Sequence, residues 1–186
     1  MASATLWAMA SILWDVDTQI DFMEPEGKLY VPSADDHELT DAEIADEPDH
    51  ETTYPPHCLR GTRGARKIRE TEQRDPVPLG LGPVPPRYLR GREFLLLKKS
   101  FDVFTNPNAD ALLEALDPDE VVVFGVATDV CDDAAVRGFL QRGLRVRFVE
   151  DAARGLDEDQ VAACTAVWRS RGVEFTTTEA VIDSLG

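Results

Sequence analysis

The stretch Glu120-Val121-Val122-Val123-Phe124-Gly125-Val126 decides the fold class of this 186-residue chain. Its apolar residues are continuous and β-branched, which is typical of a strand that is buried on both faces of a parallel sheet. Parallel strands need long crossover connections, usually helices, and the residues that follow predict a helix from 131 to about 142. The stretch therefore predicts an α/β fold.

Strands and helices alternate around this stretch. The pattern predicts strands at residues 11–16, 94–98, 120–126, 145–150 and 173–175, and helices at 109–116, 131–142, 157–171 and 178–184. This alternation predicts a doubly wound parallel sheet with helices on both faces. Residues 25–92 are rich in Pro, Asp, Glu and Arg with little periodicity, so loops with short helical turns are expected there. The length of the chain predicts one domain over residues 1–186.

Composition excludes several classes of function. The 35 acidic residues outnumber the 19 basic ones, and a formal charge of −16 argues against nucleic acids and anionic membranes as partners. Three cysteines without a C-x-x-C pair fit free thiols in a reducing compartment. The apolar residues 6–13 lack a basic start and are too few for a membrane span. We therefore expect a cytoplasmic protein.

Three polar side chains of complementary chemistry follow three predicted strands: Asp17, Lys98 and Cys131. In open parallel sheets, ligands collect beyond the carboxyl ends of the strands. A thiol at the start of a helix, with a lysine nearby, is expected to favour the thiolate. A carboxylate beside it could accept and return a proton, so the set indicates a cysteine nucleophile with an acid/base partner.

Each of these residues also has a structural interpretation. A cysteine in a helix is usually a small buried hydrophobe, and Cys164 is interpreted in that way. An aspartate at a strand end is usually a cap or turn former, and Asp129 is expected to cap the helix that begins near Cys131. A lone lysine is usually solvated. Three complementary residue types at three strand ends nevertheless point to a site.

Two longer motifs resemble those of the nicotinamidase/isochorismatase-like cysteine hydrolases. Asp17-Thr18-Gln19-Ile20-Asp21-Phe22 resembles the family's D-x-Q-x-D-F opening, and Gly125-Val126-Ala127-Thr128-Asp129-Val130-Cys131 resembles its nucleophile turn. Lys98-Lys99-Ser100-Phe101-Asp102-Val103-Phe104 resembles the lysine segment, and that alignment selects Lys98 over Lys99. With Pro55-Pro56-His57-Cys58-Leu59-Arg60-Gly61-Thr62, the resemblance spans nearly the whole chain in the family's order.

The resemblance implies hydrolysis of a small carboxamide, such as nicotinamide, through a thioester on Cys131. It also implies a cis peptide at Val126-Ala127, which would aim the backbone N–H groups of Ala127 and Cys131 at the oxyanion. Phe22 and Tyr54 are expected in the substrate pocket, although either could belong to the core. Because the isochorismatase branch does not need a cysteine, the nucleophile favours the amidase branch.

A divalent metal is a further implication of the resemblance, with zinc, iron and manganese as candidates. Asp35 and His37 have the D-x-H spacing of the nicotinamidase branch, and His57 matches its second histidine. Glu43 or His50 would complete the set. The alternative is that Asp35 belongs to a solvated acidic loop. No organic cofactor is expected, and assembly into a homo-oligomer remains open.

One departure from the family concerns the segment after the first strand. Family members have a helix and a second parallel strand before the D-x-H motif, but only twelve residues separate Phe22 from Asp35. A parallel crossover needs about a dozen residues or more, so the sheet is predicted to lack one helix and one inner strand. Backbone groups beside the first strand would then be unpaired, unless another segment such as residues 4–7 substitutes.

The missing segment makes a second function plausible. A catalytically inactive family member that binds a ligand or a partner protein is the alternative to an amidase. A third possibility is a structural zinc module built on His37, His57 and Cys58, but these residues lack the compact spacing of zinc fingers. By resemblance, Cys58 is structural or near the site, and not the nucleophile.

Overall fold

The computed structural model describes residues 10–27, 47, 54–59 and 61–185. Six strands alternate with five helices in this part of the chain, with two additional turns of 3-10 helix at Pro86–Tyr88 and Val103–Thr105. The strands are β1 (Ser11–Val16), β2 (Val77–Leu79), β3 (Phe94–Leu96), β4 (Glu120–Val126), β5 (Arg145–Arg154) and β6 (Glu174–Thr176). The helices are α1 (Ile20–Met23), α2 (Asn108–Leu116), α3 (Cys131–Gln141), α4 (Glu158–Ser170) and α5 (Thr178–Leu185).

The main sheet is parallel and has the strand order β1-β4-β5-β6. On one face, Val121 and Val123 pack in one cluster with Phe139 of α3 and Trp168 of α4. On the other face, Val122 and Val149 pack with Val181 of α5. The predicted α/β fold with helices on both faces is therefore confirmed. No helix in the described residues is long and apolar enough to span a membrane.

The remaining two strands form a separate parallel pair, β2-β3. This pair packs its Leu79 against Leu112 of α2. In the described ranges, no strand lies between β3 and β1, which is an edge of the main sheet. Residues 4–7, 35, 37, 43 and 50, which carry several of the expectations above, lie outside the described residues.

Several predicted strand boundaries were wrong. The region 25–92 was expected to contain loops and short helical turns, but it also contains β2, whose three residues are too few to give a periodic pattern. The strand predicted at 94–98 ends at Leu96, although Leu97 N–H still donates to Leu79 O at 3.0 Å. β5 continues past residue 150 because a register shift lets Ala153 and Arg154 pair with the end of β4.

Candidate active site

The structure brings the three predicted catalytic side chains together. Lys98 Nζ lies 2.5 Å from Asp17 Oδ2 and 3.3 Å from Cys131 Sγ. The ammonium also donates to Ser100 O at 3.3 Å. Cys131 is wholly buried and Lys98 is 6% exposed, so bulk water screens these contacts only weakly. The three groups therefore form one buried ion-pair network at the ends of β1, β3 and β4.

Asp17 is held by the turn between β1 and α1. Its backbone is left-handed, with a φ of 51°, a conformation that Asp adopts more readily than most residues. Its carbonyl accepts a hydrogen bond from Gln19 N–H at 2.9 Å. The turn directs the carboxylate toward Lys98 at the sheet edge.

Cys131 is the first residue of α3, directly after the turn that closes β4. The Val126-Ala127 peptide in this turn is cis, as the resemblance implied. Ala127 O accepts from Val130 N–H at 2.9 Å and from Asp132 N–H at 3.1 Å, which closes the turn tightly. Gly125 has a φ of 131°, and a Cβ there would lie 2.0 Å from Val16 O. Glycine is therefore required where β4 passes the end of β1.

The electrostatics of the trio differ from the expectation of a thiolate. Burial raises the pKa of the Cys131 thiol well above its usual value, and the Asp17 carboxylate adds to this effect, while Lys98 opposes it. Burial alone would lower the pKa of Lys98, but Asp17 and Cys131 outweigh it and hold that pKa above its usual value. These shifts favour a neutral thiol beside an ammonium–carboxylate pair, so a reaction at this sulfur would require the thiol to lose its proton.

The prediction that Asp129 caps α3 was wrong. The residue that precedes the helix is Val130, and no side chain caps this end. The Asp129 carboxylate instead accepts hydrogen bonds from Leu156 N–H and Asp157 N–H, each at 2.9 Å, and so fastens the nucleophile turn to the loop before α4. Cys164 lies in the core, as predicted, and burial raises its pKa to about 11.

The predicted pocket residues lie close to the nucleophile turn. Phe22 is fully buried and packs in one cluster with Val126 and Ala127. Tyr54 is nearly buried, and its ring centroid lies 6.1 Å from that of Phe101 in the turn after Lys98. Both side chains contribute to packing near the trio. A direct role for either of them in binding substrate stays a prediction.

Two aspartates were not singled out from the sequence. Asp21 Oδ2 accepts a hydrogen bond from Cys58 N–H at 2.6 Å, which joins the D-x-Q-x-D-F opening to the Pro-Pro-His-Cys stretch. Asp132 follows the nucleophile, is fully buried, and has no hydrogen-bond partner for either carboxylate oxygen among the described residues. The sequence feature that could have identified Asp21 was its position in the D-x-Q-x-D-F motif. An acidic residue in a first helical turn, such as Asp132, usually looks like an ordinary solvated charge.

Of the predicted metal ligands, only His57 lies within the described residues. Its ring is buried, and its centroid lies 4.9 Å from that of Phe22. Nδ1 lies 2.5 Å from Pro55 O, and because a carbonyl oxygen only accepts, Nδ1 is the donor; in a neutral ring the lone pair is then on Nε2. A backbone carbonyl on the other ring nitrogen is common for metal-binding histidines, so this residue fits a ligand. In the described ranges, no three His, Cys, Asp or Glu side chains group as a metal site.

Comparison with protein families adds the decisive observation. A family model described as the isochorismatase domain matches residues 33–180, which is most of the chain. The chain belongs to the isochorismatase family. The expected relation to nicotinamidase/isochorismatase-like hydrolases is thereby confirmed at the level of the family.

Two curated proteins are similar in sequence to this isochorismatase-family chain. Isochorismatase domain-containing protein 2 of Danio rerio is 32% identical over 114 residues, which cover 60% of the chain. Nicotinamidase/pyrazinamidase of Mycobacterium tuberculosis (strain ATCC 25618 / H37Rv) is 29% identical over 132 residues, which cover 69% of the chain. The matches span only 55% and 65% of these two relatives.

Solved structures of the isochorismatase family share the fold. Pyrazinamidase of Pyrococcus horikoshii in complex with zinc has a TM-score of 0.65 at 19% identity, covering 90% of this chain and 99% of its own. PnC1 from L. infantum in complex with nicotinate has a TM-score of 0.68 at 19% identity, covering 96% and 98%. At this level of identity the likeness establishes the fold alone.

Proposed function

We propose that the protein is a cysteine-dependent amidohydrolase that acts on a small carboxamide such as nicotinamide. The observation that carries the proposal is the ammonium of Lys98, which contacts both Asp17 Oδ2 at 2.5 Å and Cys131 Sγ at 3.3 Å. A nucleophile, a base and a fixed positive charge are the groups that acyl transfer from nitrogen requires.

The first half of the reaction follows from the protonation state of the trio. Asp17 takes the proton from the neutral Cys131 thiol as the sulfur attacks the amide carbon, and the carbonyl oxygen becomes an oxyanion. Backbone N–H groups of Ala127 and Cys131 would donate to this oxyanion, each contributing about 3 kcal/mol in comparable sites. Lys98 stays protonated and stabilises the developing negative charge on sulfur.

The second half releases both products. Asp17 returns its proton to the amide nitrogen, the C–N bond breaks, and ammonia leaves a thioester on Cys131. Asp17 then takes a proton from a water molecule as the oxygen of that water attacks the thioester carbon. The C–S bond breaks, the acid is released, and the thiol recovers its proton.

The relatives suggest the class of acyl group. One relative is named nicotinamidase/pyrazinamidase, and one structural neighbour was crystallised with nicotinate. Trp14 and Phe101 line the cavity that also contains the trio, and they would offer an aromatic substrate ring apolar contacts. An aromatic carboxamide is therefore the first substrate class to test.

A divalent metal is also proposed, held by His57 together with Asp35 and His37. The Nδ1 contact of His57 with Pro55 O favours a ring that presents Nε2 to a metal, and a structural neighbour was crystallised with zinc. The metal would position the substrate ring, and no step above depends on it. Calorimetric titration of the metal-free protein with zinc should show a site that His57→Ala weakens. Equal zinc affinity in both proteins would contradict this assignment.

Ammonia release from a panel of amides, nicotinamide included, tests the proposed function. Wild-type protein should release ammonia, and Cys131→Ala should not, in assays with and without zinc, iron or manganese. Cys164→Ala is the matched control, because its thiol is buried on α4 and donates to Val161 O of the same helix at 3.3 Å. A folded wild-type protein that hydrolyses none of these amides would favour the inactive, ligand-binding alternative, which the short segment between Phe22 and Asp35 suggested from the sequence.

A further inference from the structure

A second ion pair lies beside the trio and takes no part in the reaction proposed above. Lys67 Nζ lies 3.2 Å from Asp15 Oδ2, and the two side chains are only 16% and 21% exposed. Both residues line the cavity that also contains Asp17, Lys98 and Cys131. Asp17 comes two residues after Asp15, which is about 6.5 Å along an extended strand. The second pair is therefore close enough to act on the proposed base.

The Thr18 hydroxyl joins this ion pair to the turn that carries Asp17. Thr18 Oγ1 donates to Asp15 Oδ2 at 2.9 Å and accepts from Lys67 Nζ at 3.2 Å. Because a hydroxyl has one proton, the neighbouring Thr71 hydroxyl is the donor in its own contact with Thr18 Oγ1. Asp15 and Thr18 stand on either side of Asp17 in the chain. These hydrogen bonds therefore span the residue proposed as the base.

The backbone around Lys67 holds the same turn. Ile68 N–H donates to Thr18 O at 2.9 Å, and Gln19 forms an antiparallel bridge with Lys67. Asp17 itself has a φ of 51°, and a residue other than glycine keeps this conformation only where the surrounding contacts hold it. The contacts of Lys67, through both its side chain and its backbone, are made with the residues that adjoin Asp17.

The charge of Asp15 also reaches the trio. Burial raises the pKa of Asp132, and the carboxylates of Asp17 and Asp15 both add to that shift, so both lie near the start of α3. The titratable groups that face Asp17 in the described residues are Lys98 after β3, Cys131 and Asp132 on α3, and Asp15 on β1. A like charge at the position of Asp15 makes the ionised form of Asp17 less favourable, and Lys67 compensates that charge.

We propose that Lys67 is a positioning residue for the amidohydrolase reaction. Through Asp15 and Thr18, its ammonium holds the turn of Asp17 in place and keeps that carboxylate ionised. The inference rests on the proposed function and adds a residue of the same cavity to its mechanism. Lys67 stays protonated throughout, while Asp17 accepts and returns the proton of Cys131. Without the ammonium, the charge of Asp15 would favour the protonated form of Asp17, which cannot accept the thiol proton.

The test is the pH dependence of ammonia release by charge variants, with the amide that wild type hydrolyses most efficiently. Lys67→Met should move the acidic limb of kcat/KM to higher pH by roughly half a unit to one unit, because the charge of Asp15 is no longer balanced. It should also lower the plateau kcat by about 10-fold, because the turn is held less firmly. Asp15→Asn should move the limb to lower pH. The double variant lacks both charges, and its limb should lie near that of wild type.

Two further variants separate this effect from a general loss of structure. Lys67→Arg keeps the positive charge, so its acidic limb should coincide with that of wild type. Arg69 lies two residues further along and is exposed, so Arg69→Met removes an equal charge outside this network and should leave the limb unchanged. An unshifted limb or a wild-type plateau in Lys67→Met, or equal shifts in Lys67→Met and Arg69→Met, would overturn the proposal. If Lys67→Met does not fold, an Asp15→Asn limb that coincides with that of wild type overturns it.

The outcomes distinguish this inference from the proposed function. Amide hydrolysis with coincident profiles for wild type and Lys67→Met overturns the inference and leaves the amidohydrolase standing. If no amide is hydrolysed, the proposed function fails, and carboxyl ¹³C NMR measures the ionisation of Asp17 directly, with its signal assigned by loss in Asp17→Asn. That titration should move to higher pH in Lys67→Met and stay in place in Arg69→Met. Coincident Asp17 titrations in wild type and Lys67→Met overturn the inference with or without activity.

Discussion

β1 and β4 have similar sequences and very different surroundings. Both are apolar runs that lead to a proposed catalytic residue, but β4 pairs on both sides, while β1 pairs with β4 alone among the residues that the structure describes. Val121, Val122 and Val123 of β4 are at most 1% exposed, whereas Leu13 of β1 is 54% exposed. The burial of a strand is therefore set by its neighbours as much as by its own composition. The proposed nucleophile, Cys131, follows the well-packed strand, and its proposed base, Asp17, follows the exposed one.

The largest expected effect on activity concerns Cys131, which follows β4. Cys131→Ala removes the nucleophile and should reduce kcat for amide hydrolysis by about 10⁴-fold or more. Steady-state ammonia release measures this loss. Cys164→Ala, on α4, should keep most of the activity. Equal losses in the two variants would mean that Cys131 has no special role.

Lys98→Met removes the ammonium group that contacts both Asp17, which follows β1, and Cys131, which follows β4. The substitution leaves Asp17 without its ammonium partner and removes the positive charge that opposes the raised pKa of Cys131. We expect kcat/KM to fall by about 10²- to 10³-fold, and its alkaline limb to move to higher pH. Lys99→Met is the matched control, and pH–rate profiles of both variants measure the shift. A Lys98→Met profile that coincides with that of wild type would contradict the assignment.

Two truncations measure the difference in packing directly. Val122→Ala, in the middle of β4, should lower the free energy of unfolding by about 2 kcal/mol because it leaves a cavity between packed layers. Leu13→Ala, on β1, should cost no more than about 0.5 kcal/mol because the side chain is mainly exposed. Chemical denaturation compares the two. A larger cost for Leu13→Ala would show that another segment covers β1 in solution.

A smaller effect than that of Val122→Ala concerns Asp132, in the first turn of α3. Burial raises its pKa well above the usual value, and the charges of Asp17 and Asp15 add to this shift. The folded protein thus holds a proton that the unfolded chain releases near pH 4, so stability should fall as pH rises from about 4 toward the raised pKa. Asp132→Asn should remove this dependence and stabilise the protein at pH 8 by on the order of 1 kcal/mol. Thermal unfolding at pH 5 and pH 8 measures the difference, and an unchanged dependence in Asp132→Asn would contradict it.

The sequence predicted the second half of the chain well, because β4 and the elements after it are local patterns with clear ends. It also predicted which side chains meet, since Asp17, Lys98 and Cys131 each follow a strand. It did not predict β2, whose three residues carry no period, or the continuation of β5, which depends on a register shift in β4.

Features that depend on burial were the hardest to predict. The helix start and a lysine favour a thiolate at Cys131, but complete burial beside Asp17 reverses the balance. Asp129 was expected to cap the nearest helix, yet its carboxylate bonds to backbone groups 27 and 28 residues away. Such contacts join distant parts of the chain, and residue spacing carries no information about them.

The hydrogen bond between Asp21 and Cys58 spans 37 residues of sequence and has a consequence for the evolution of this protein. It fixes both ends of the intervening stretch beside the active site, whatever the length of that stretch. Since the entropy of closing a loop changes by only about 0.6 kcal/mol per doubling of its length, segments can be gained or lost there cheaply. The contact between Asp21 and Cys58 thus holds the two ends of the intervening segment together. Residues between them can change in number and type while the positions of the proposed catalytic residues are kept.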